Sequence, residues 1–360
     1  MLFHNLKNPK STEYVIQNTY RIGNVINGDF AKEALILLSE QYKVLKTAIL
    51  SEGISEPLQV IYKDRIPEYI EIDIRDKDSA LKDEVYREVA RKEVERGFHL
   101  EQDSLMRVTC IKYGEQDTRL IWTMHHIIVD GWCMNTLLEQ FFLYYNGLKD
   151  GRRALEFERD IKTGMNVEYS SYIHWLRKQD KEKARDYWKK LLADYDNVCD
   201  IPAIVEPENT IDQVHRLSIK VDKMTTAKMR KCADDNSSTI NTIVEVVCGI
   251  LLQNWNRTED VVFGKVVSGR NADIAGIENM IGLLINTIPT RVHTENGMAI
   301  RELIKIQQRQ GTESTKYDFY SLAEIQSTTA QMSNLIKVLY VFENYTSGLN
   351  EEVGDEEQEY

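Results

Sequence analysis

The stretch HHIIVDGW, residues 125–132, puts two adjacent histidines ahead of an aspartate, a glycine and a tryptophan. A neutral imidazole at the end of a strand suits acyl transfer. It accepts a proton from an attacking amine or hydroxyl, or holds that nucleophile in line. No GxSxG-type nucleophile motif accompanies the histidines, so direct transfer is favoured over an acyl-enzyme. Metal binding fits less well, because neighbouring strand residues diverge and no third ligand stands at helical spacing. The plainer alternative is a pair of core histidines followed by an aspartate that caps a helix.

The elements around the motif decide which group can reach a substrate. RLIWTMHHI alternates as a strand running to Val129, which places His126 on the face of Leu120, Trp122 and Met124 and turns His125 the other way. Asp130 and Gly131 then make a turn. Asp130 is placed either to cap the next helix or to bind a cation elsewhere in the domain. Gly131 permits close approach of a substrate or a second backbone. WCMNTLLEQFFLYYNGL reads as a helix stopped at Gly147.

Upstream, MLFHNL reads as the tail of a helix and TEYVIQNTYRIG as a strand. FAKEALILLSEQYKVLKTAI carries helical periodicity, and a strand pair follows around LQVIYK and YIEIDI. ALKDEVYREVARKEVERGF is helical, and LMRVTCIKY pairs antiparallel with the histidine strand through Gly114. Residues 149–163 are polar and read as a linker. YSSYIHWLRKQDKEKARDYWKKLLADY is one long helical segment. The pattern then restarts: strand HRLSIKV, helices TTAKMRKCADD and TINTIVEVVCGILLQNWN, strands DVVFGKVVSGR and LLINTIPTRV, helix AIRELIKIQQRQ, and strand IKVLYVFENY. Each half mixes strands with helices able to cover a sheet face, which implies an α/β fold of two lobes. The expected boundaries are 1–165, 166–345 and an acidic tail, 346–360.

Bulk composition agrees with this plan. The 360 residues suffice for two ordinary domains. A hydrophobic share of 42% and a charged share of 28% fit a globular chain. The formal charge of −12 sets nucleic-acid binding low. No apolar run nears the ~18 residues of a membrane span, and no signal peptide is visible. Five scattered cysteines without a CxxC pair predict buried thiols in a reducing, cytoplasmic setting, and no metal site.

HHxxxDG resembles the signature of the condensation domains of nonribosomal peptide synthetases, which share a two-lobed fold with chloramphenicol acetyltransferase. Other segments resemble the same family in the same order. These are MLFHNL, QYKVLKTAI, RGFHLEQDSLMRV, YSSYIHWL, VVSGRNADIAGIENMIGLLINTIPTRV and YDFYSLAEIQ, the last in the form seen where two L-configured residues are joined. In QYKVLKTAI, Gln41, Tyr42, Lys43 and Lys46 depart from the family's usual residues. The resemblance implies two chloramphenicol-acetyltransferase-like lobes in a V-shaped pseudo-dimer. It implies His126 as the histidine facing the active-site tunnel and His125 as a structural one. It implies Asp130 as the residue holding the loop through a salt bridge, with Arg270 of the other lobe as candidate partner. Gly131 corresponds to a tunnel-lining glycine and Asn286 to an asparagine near the site. The plainer readings are a solvated loop arginine for Arg270 and a turn or strand-end amide for Asn286. Trp132 reads as core packing.

The reaction the resemblance implies is aminolysis of a thioester. A donor acyl or peptidyl group arrives on the phosphopantetheine arm of one carrier protein. The free amine of an aminoacyl group on a second carrier attacks it. Donor and acceptor carrier proteins and a neighbouring adenylation domain are therefore the expected partners. No cofactor is bound directly. Relative to the family, the chain reads as short at both ends, with an incomplete second lobe. An epimerisation domain, an acyl-CoA-dependent acyltransferase and a non-catalytic carrier-binding platform are the alternatives.

Overall fold

The structure, a computed structural model, describes residues 1–8, 11–54, 56–164, 167–201 and 217–343. The acidic tail lies outside the described residues. Contacts divide these residues into two units. The first comprises Met1–Arg177 together with Ala272–Leu284, and the second comprises Lys178–Asn271 together with residues 285–343. The boundary falls at 177/178 rather than at 165/166. Residues 272–284 return to the first unit because their buried side chains pack there.

The first unit begins with helix α1 (Leu2–Lys7) and is built on a sheet ordered β1-β6-β5-β4. Strand β1 (Val15–Ile22) pairs antiparallel with β6 (Asp117–His125), and β6 pairs antiparallel with β5 (Met106–Gly114). Strand β5 runs parallel to β4 (Glu68–Asp73), and α3 (Ser79–Arg96) makes the crossover between them. The pleat sorts β6 by face. Leu120, Trp122 and Met124 enter the main core, while Ile121 faces a smaller cluster against Val85, Tyr86 and Val89 of α3. The main core is closed by α2 (Gly28–Gln41), α4 (Cys133–Lys149) and α5 (Ala154–Thr163). Helix α6 (Tyr169–Arg177) completes the unit.

Several local expectations are corrected. Helix α2 stops at Gln41. One 3₁₀ turn follows at Lys43–Lys46, and then β2 (Thr47–Leu50) pairs with β3 (Leu58–Ile61), so the LQVIYK strand pairs with β2 and not with the YIEIDI strand, which is β4 beside β5. The apolar residues after Tyr42 are those of a hairpin, which a helical period mimics over so short a run. The expected linker at 149–163 is largely α5, because its polar residues form the outer face of a helix whose Phe157 is buried. Gly147 does not end α4. It leaves room for Phe157, whose Cζ lies 2.5 Å from where a Cβ would stand.

The second unit holds α7 (Lys181–Leu191), α8 (Lys223–Asp235), α9 (Ile240–Asn256), β7 (Asp260–Val267), β8 (Asn286–His293), α10 (Ile300–Ser314), α11 (Leu322–Gln326) and β9 (Leu339–Tyr340). Its sheet is ordered β8-β7-β9, with β7–β8 antiparallel and β7–β9 parallel. The long helical segment expected after residue 168 is two helices, α6 and α7. Asp180 ends the run by accepting the Lys183 amide as N-cap of α7. The expected strand over HRLSIKV does not form in its described part, residues 217–221. Leu217 and Ile219 stay 87% and 79% exposed, so this stretch lacks the burial that a strand's apolar face needs. The last strand is shorter than expected, because only Leu339 and Tyr340 find partners on β7.

Candidate active site

Strand β6 ends at His125, short of the expected Val129, and His126 opens the turn that follows. The ladder extends one bond further, since the His126 amide donates to the Tyr14 carbonyl at 2.8 Å. His125 is 2% exposed. Its Nδ1 accepts the Ile127 amide proton at 3.0 Å, so the neutral ring carries its proton on Nε2. Burial and the neighbouring His126 push its pKa down to about 4. Phe98 meets the His125 ring edge-on at 6.2 Å, and the Arg107 guanidinium lies 4.0 Å over Phe98. Arg107 is in turn fixed by Glu93 Oε2 at 2.7 Å and by the Glu93 and Gly97 carbonyls. The segment leading into the histidine strands therefore builds a buried wall for His125. That wall holds the ring as a turn-forming acceptor.

His126 is the half-buried member of the pair. Its Nδ1 is buried and makes no hydrogen bond to a described residue. No described carboxylate fixes this nitrogen, as one does in a nucleophile-activating triad or a metal-ligating histidine. The described residues contain no cluster of three metal-ligating side chains.

Asp130 is fully buried, yet it does not cap α4 through its side chain. The residue at the cap position is Trp132, and the Asp130 carboxylate faces elsewhere. Its Oδ2 accepts the Leu284 amide at 3.1 Å and its Oδ1 lies 3.2 Å from the Cys133 thiol. Cys133 Sγ also lies 3.3 Å from the Gly282 carbonyl oxygen and accepts the Gly282 amide at 3.5 Å. Trp132 is 41% exposed rather than core, because its indole Nε1 reaches out to donate to the Glu278 carbonyl at 3.1 Å. Tyr169 closes the arrangement by donating its hydroxyl proton to the Leu283 carbonyl at 2.8 Å. Its ring covers Gly282, where an added Cβ would stand 2.1 Å from Tyr169 Cδ2. The turn after the histidines is thus a clamp on the backbone of residues 278–284. Gly131, within that turn, is exposed.

Arg270 and Asn286 belong to the second unit. Arg270 follows β7, and its amide donates to Ser268 Oγ at 3.4 Å. Asn286 opens β8. Its Nδ2 donates to the carbonyls of Asp318 at 2.7 Å and Tyr320 at 2.8 Å, and its Oδ1 accepts the Thr287 amide. It fastens the YDFYSL segment to the sheet. Asp318 is buried, and burial raises its carboxyl pKa to about 6 against the lowering effect of the Asn271 amide.

Sequence reasoning passes over Cys133, Tyr169 and Gly282. A thiol directly after the motif and a glycine within IGLLIN are the available signals. Their meaning depends on contacts between residues more than a hundred positions apart.

A mixed α/β fold whose histidine turn clamps a distant backbone segment defines the class, and comparison defines the family. The chain matches the Condensation domain family over residues 1–360 and belongs to it. It is 34% identical over 346 residues to bacitracin synthase 3 of Bacillus licheniformis, covering 96% of this chain and 5% of that synthase. It is also 34% identical over 346 residues to gramicidin S synthase 2 of Brevibacillus brevis, covering 96% of this chain and 8% of that synthase. The chain thus corresponds to a small part of these curated relatives. Among solved structures it is similar to the first condensation domain of the CDA synthetase, with a TM-score of 0.71, 14% identity, and coverage of 96% of this chain and 80% of that one. A four-domain nonribosomal peptide synthetase bound to AMP and glycine matches with a TM-score of 0.75 and 18% identity, covering 97% of this chain and 26% of that one.

Proposed function

We propose that the chain catalyses amide-bond formation between two carrier-bound thioesters. The free amine of an acceptor aminoacyl group attacks the carbonyl of a donor acyl or peptidyl thioester. The new C–N bond forms, the donor's C–S bond breaks, and the thiol returns to the donor phosphopantetheine arm. His126 is the residue that meets the reacting amine, as general base or as the group that steadies it. His125 supports the turn, and Asp130, with Gly131, holds it. Arg270 and Asn286 are carried as supporting residues of the second unit. Peptidyl carrier proteins on both sides and an adjacent adenylation domain are the partners this assigns. The form of YDFYSLAEIQ favours L-configured donor and acceptor.

The single observation that carries this reading is the asymmetry of the histidines. His125 is consumed by the fold, whereas His126 keeps a ring nitrogen unused by the described residues. A positioned base contributes about 10²–10⁴-fold, and orientation of two tethered reactants contributes about 7–11 kcal/mol. Most of the rate therefore comes from holding the two arms.

The test against the acyl-CoA alternative offers the same acyl group on a carrier protein and on coenzyme A, with one aminoacyl carrier as acceptor. Product from the carrier-borne donor at a rate at least tenfold above the coenzyme A donor supports the proposal. The reverse preference contradicts it.

A further inference from the structure

The second unit contains a cavity of about 290 Å³ that the reading above does not use. It lies among α9, α10, β7 and β8, at the small end of the range for ligand pockets. Its wall is polar where a helix–sheet layer is ordinarily apolar. Glu245 of α9 is 2% exposed and Gln307 of α10 is 1% exposed. Lys265 of β7 lies 2.5 Å from Glu245 Oε2, and Gln307 Nε2 donates to Glu245 Oε1 at 2.6 Å. Burying such a pair gives little net stability over an apolar replacement, so its presence calls for another cause.

The unspent hydrogen-bonding capacity facing the cavity is specific. Lys265 Nζ has three protons and one partner among the described residues. Thr290, which is 4% exposed, makes no side-chain hydrogen bond to a described residue. Asn241 spends its Oδ1 on the Tyr340 hydroxyl at 2.7 Å and keeps its amide protons. Each oxygen of Glu245 still has a lone pair. A donor and an acceptor thus stand side by side on the wall, with no net charge between them. An anion or a cation entering this site would lose its hydration without meeting an opposite net charge. A neutral amide suits both halves. Its carbonyl oxygen accepts from Lys265, and its N–H donates to Glu245 or Thr290.

We propose that this cavity is a binding site for a neutral amide group. On the condensation reading, two sources present such a group: an asparagine or glutamine side chain of a bound aminoacyl residue, and the amides of a pantetheine arm.

The test is a methyl chemical-shift titration of the full chain with butyramide, butyrate and butylammonium, reading Thr290 and Ile288. Butyramide is expected to move both resonances at an affinity at least tenfold above the two ions. The Glu245→Gln/Lys265→Met pair, which removes both charges together, is expected to weaken it tenfold. Equal affinities for the three probes, or shifts absent from Thr290 and Ile288, overturn the site from the native chain alone, whether or not the double variant folds. Unchanged affinity in a folded double variant overturns it too. Displacement of butyramide by glutamine assigns the side chain, displacement by pantetheine assigns the arm, and displacement by neither overturns both assignments. Binding is read without turnover, so failure here leaves the transfer reaction to be judged by its own assay.

Discussion

At the residue scale, the two histidines differ by what the backbone asks of them. His125 supplies a lone pair to the Ile127 amide in a buried wall, and His126 does not. His126→Ala is expected to lower product formation about 10²–10⁴-fold. Its stability should stay within about 1 kcal/mol of native, measured by denaturant unfolding beside the rate. Asp130→Ala should behave oppositely. It strands the Leu284 amide in a buried place, and an orphaned group of that kind costs about 1–3 kcal/mol. Unfolding midpoints in urea would register that loss before any activity is assayed.

At the scale of elements, residues 278–284 are held by groups from the turn before α4 and from α6. Gly282→Ala drives a methyl into the Tyr169 ring, an overpacking expected to cost about 1–3 kcal/mol. Combining it with Tyr169→Ala should cost less than the sum of the single changes, because the second removes the ring that the first strikes. Additive costs in the double-mutant cycle would show that the two do not meet.

This scale also marks how far sequence reasoning reaches. The β1 strand is legible from alternation, β5 and β6 from apolar runs that bury both faces, and α3 and α4 from helical period. Strand β2, and with it the β2–β3 pairing, escapes it because a four-residue apolar run reads equally as helix or strand. The α5 helix escapes it because a mostly polar surface helix with one buried Phe157 looks like a linker. The histidine turn is legible as a motif. The clamp it forms is not, because Asp130, Cys133 and Tyr169 act on backbone groups of residues 278–284, which no local pattern ties to the turn.

At the scale of the whole molecule, the described residues contain no helix long and apolar enough to cross a membrane. The pH dependence of stability carries contributions of opposite sign. His125 titrates near 4 in the folded chain against 6.5 ordinarily, so between those values the unfolded chain binds more protons. Its contribution is fully present above 6.5 and is lost as pH falls toward 4. Asp318 is raised from 3.8 to about 6, so its contribution is present below 3.8 and is lost as pH rises through 6. Urea unfolding at about pH 5 and about pH 7 separates them. His125→Gln should lose less stability than the native chain on going from the higher to the lower pH, and Asp318→Asn should lose more. Identical pH slopes in all three proteins would refute both assignments.

The central claim is that His126 serves transfer between two carriers. Its most direct measurement is the intact mass of an aminoacyl acceptor carrier incubated with a donor-loaded carrier and this chain, beside the same mixture containing His126→Ala. The account predicts that the acceptor gains the donor's acyl mass with the native chain and at least a hundredfold more slowly with the variant. Equal gain with both, or none with either while both stay folded, would contradict it.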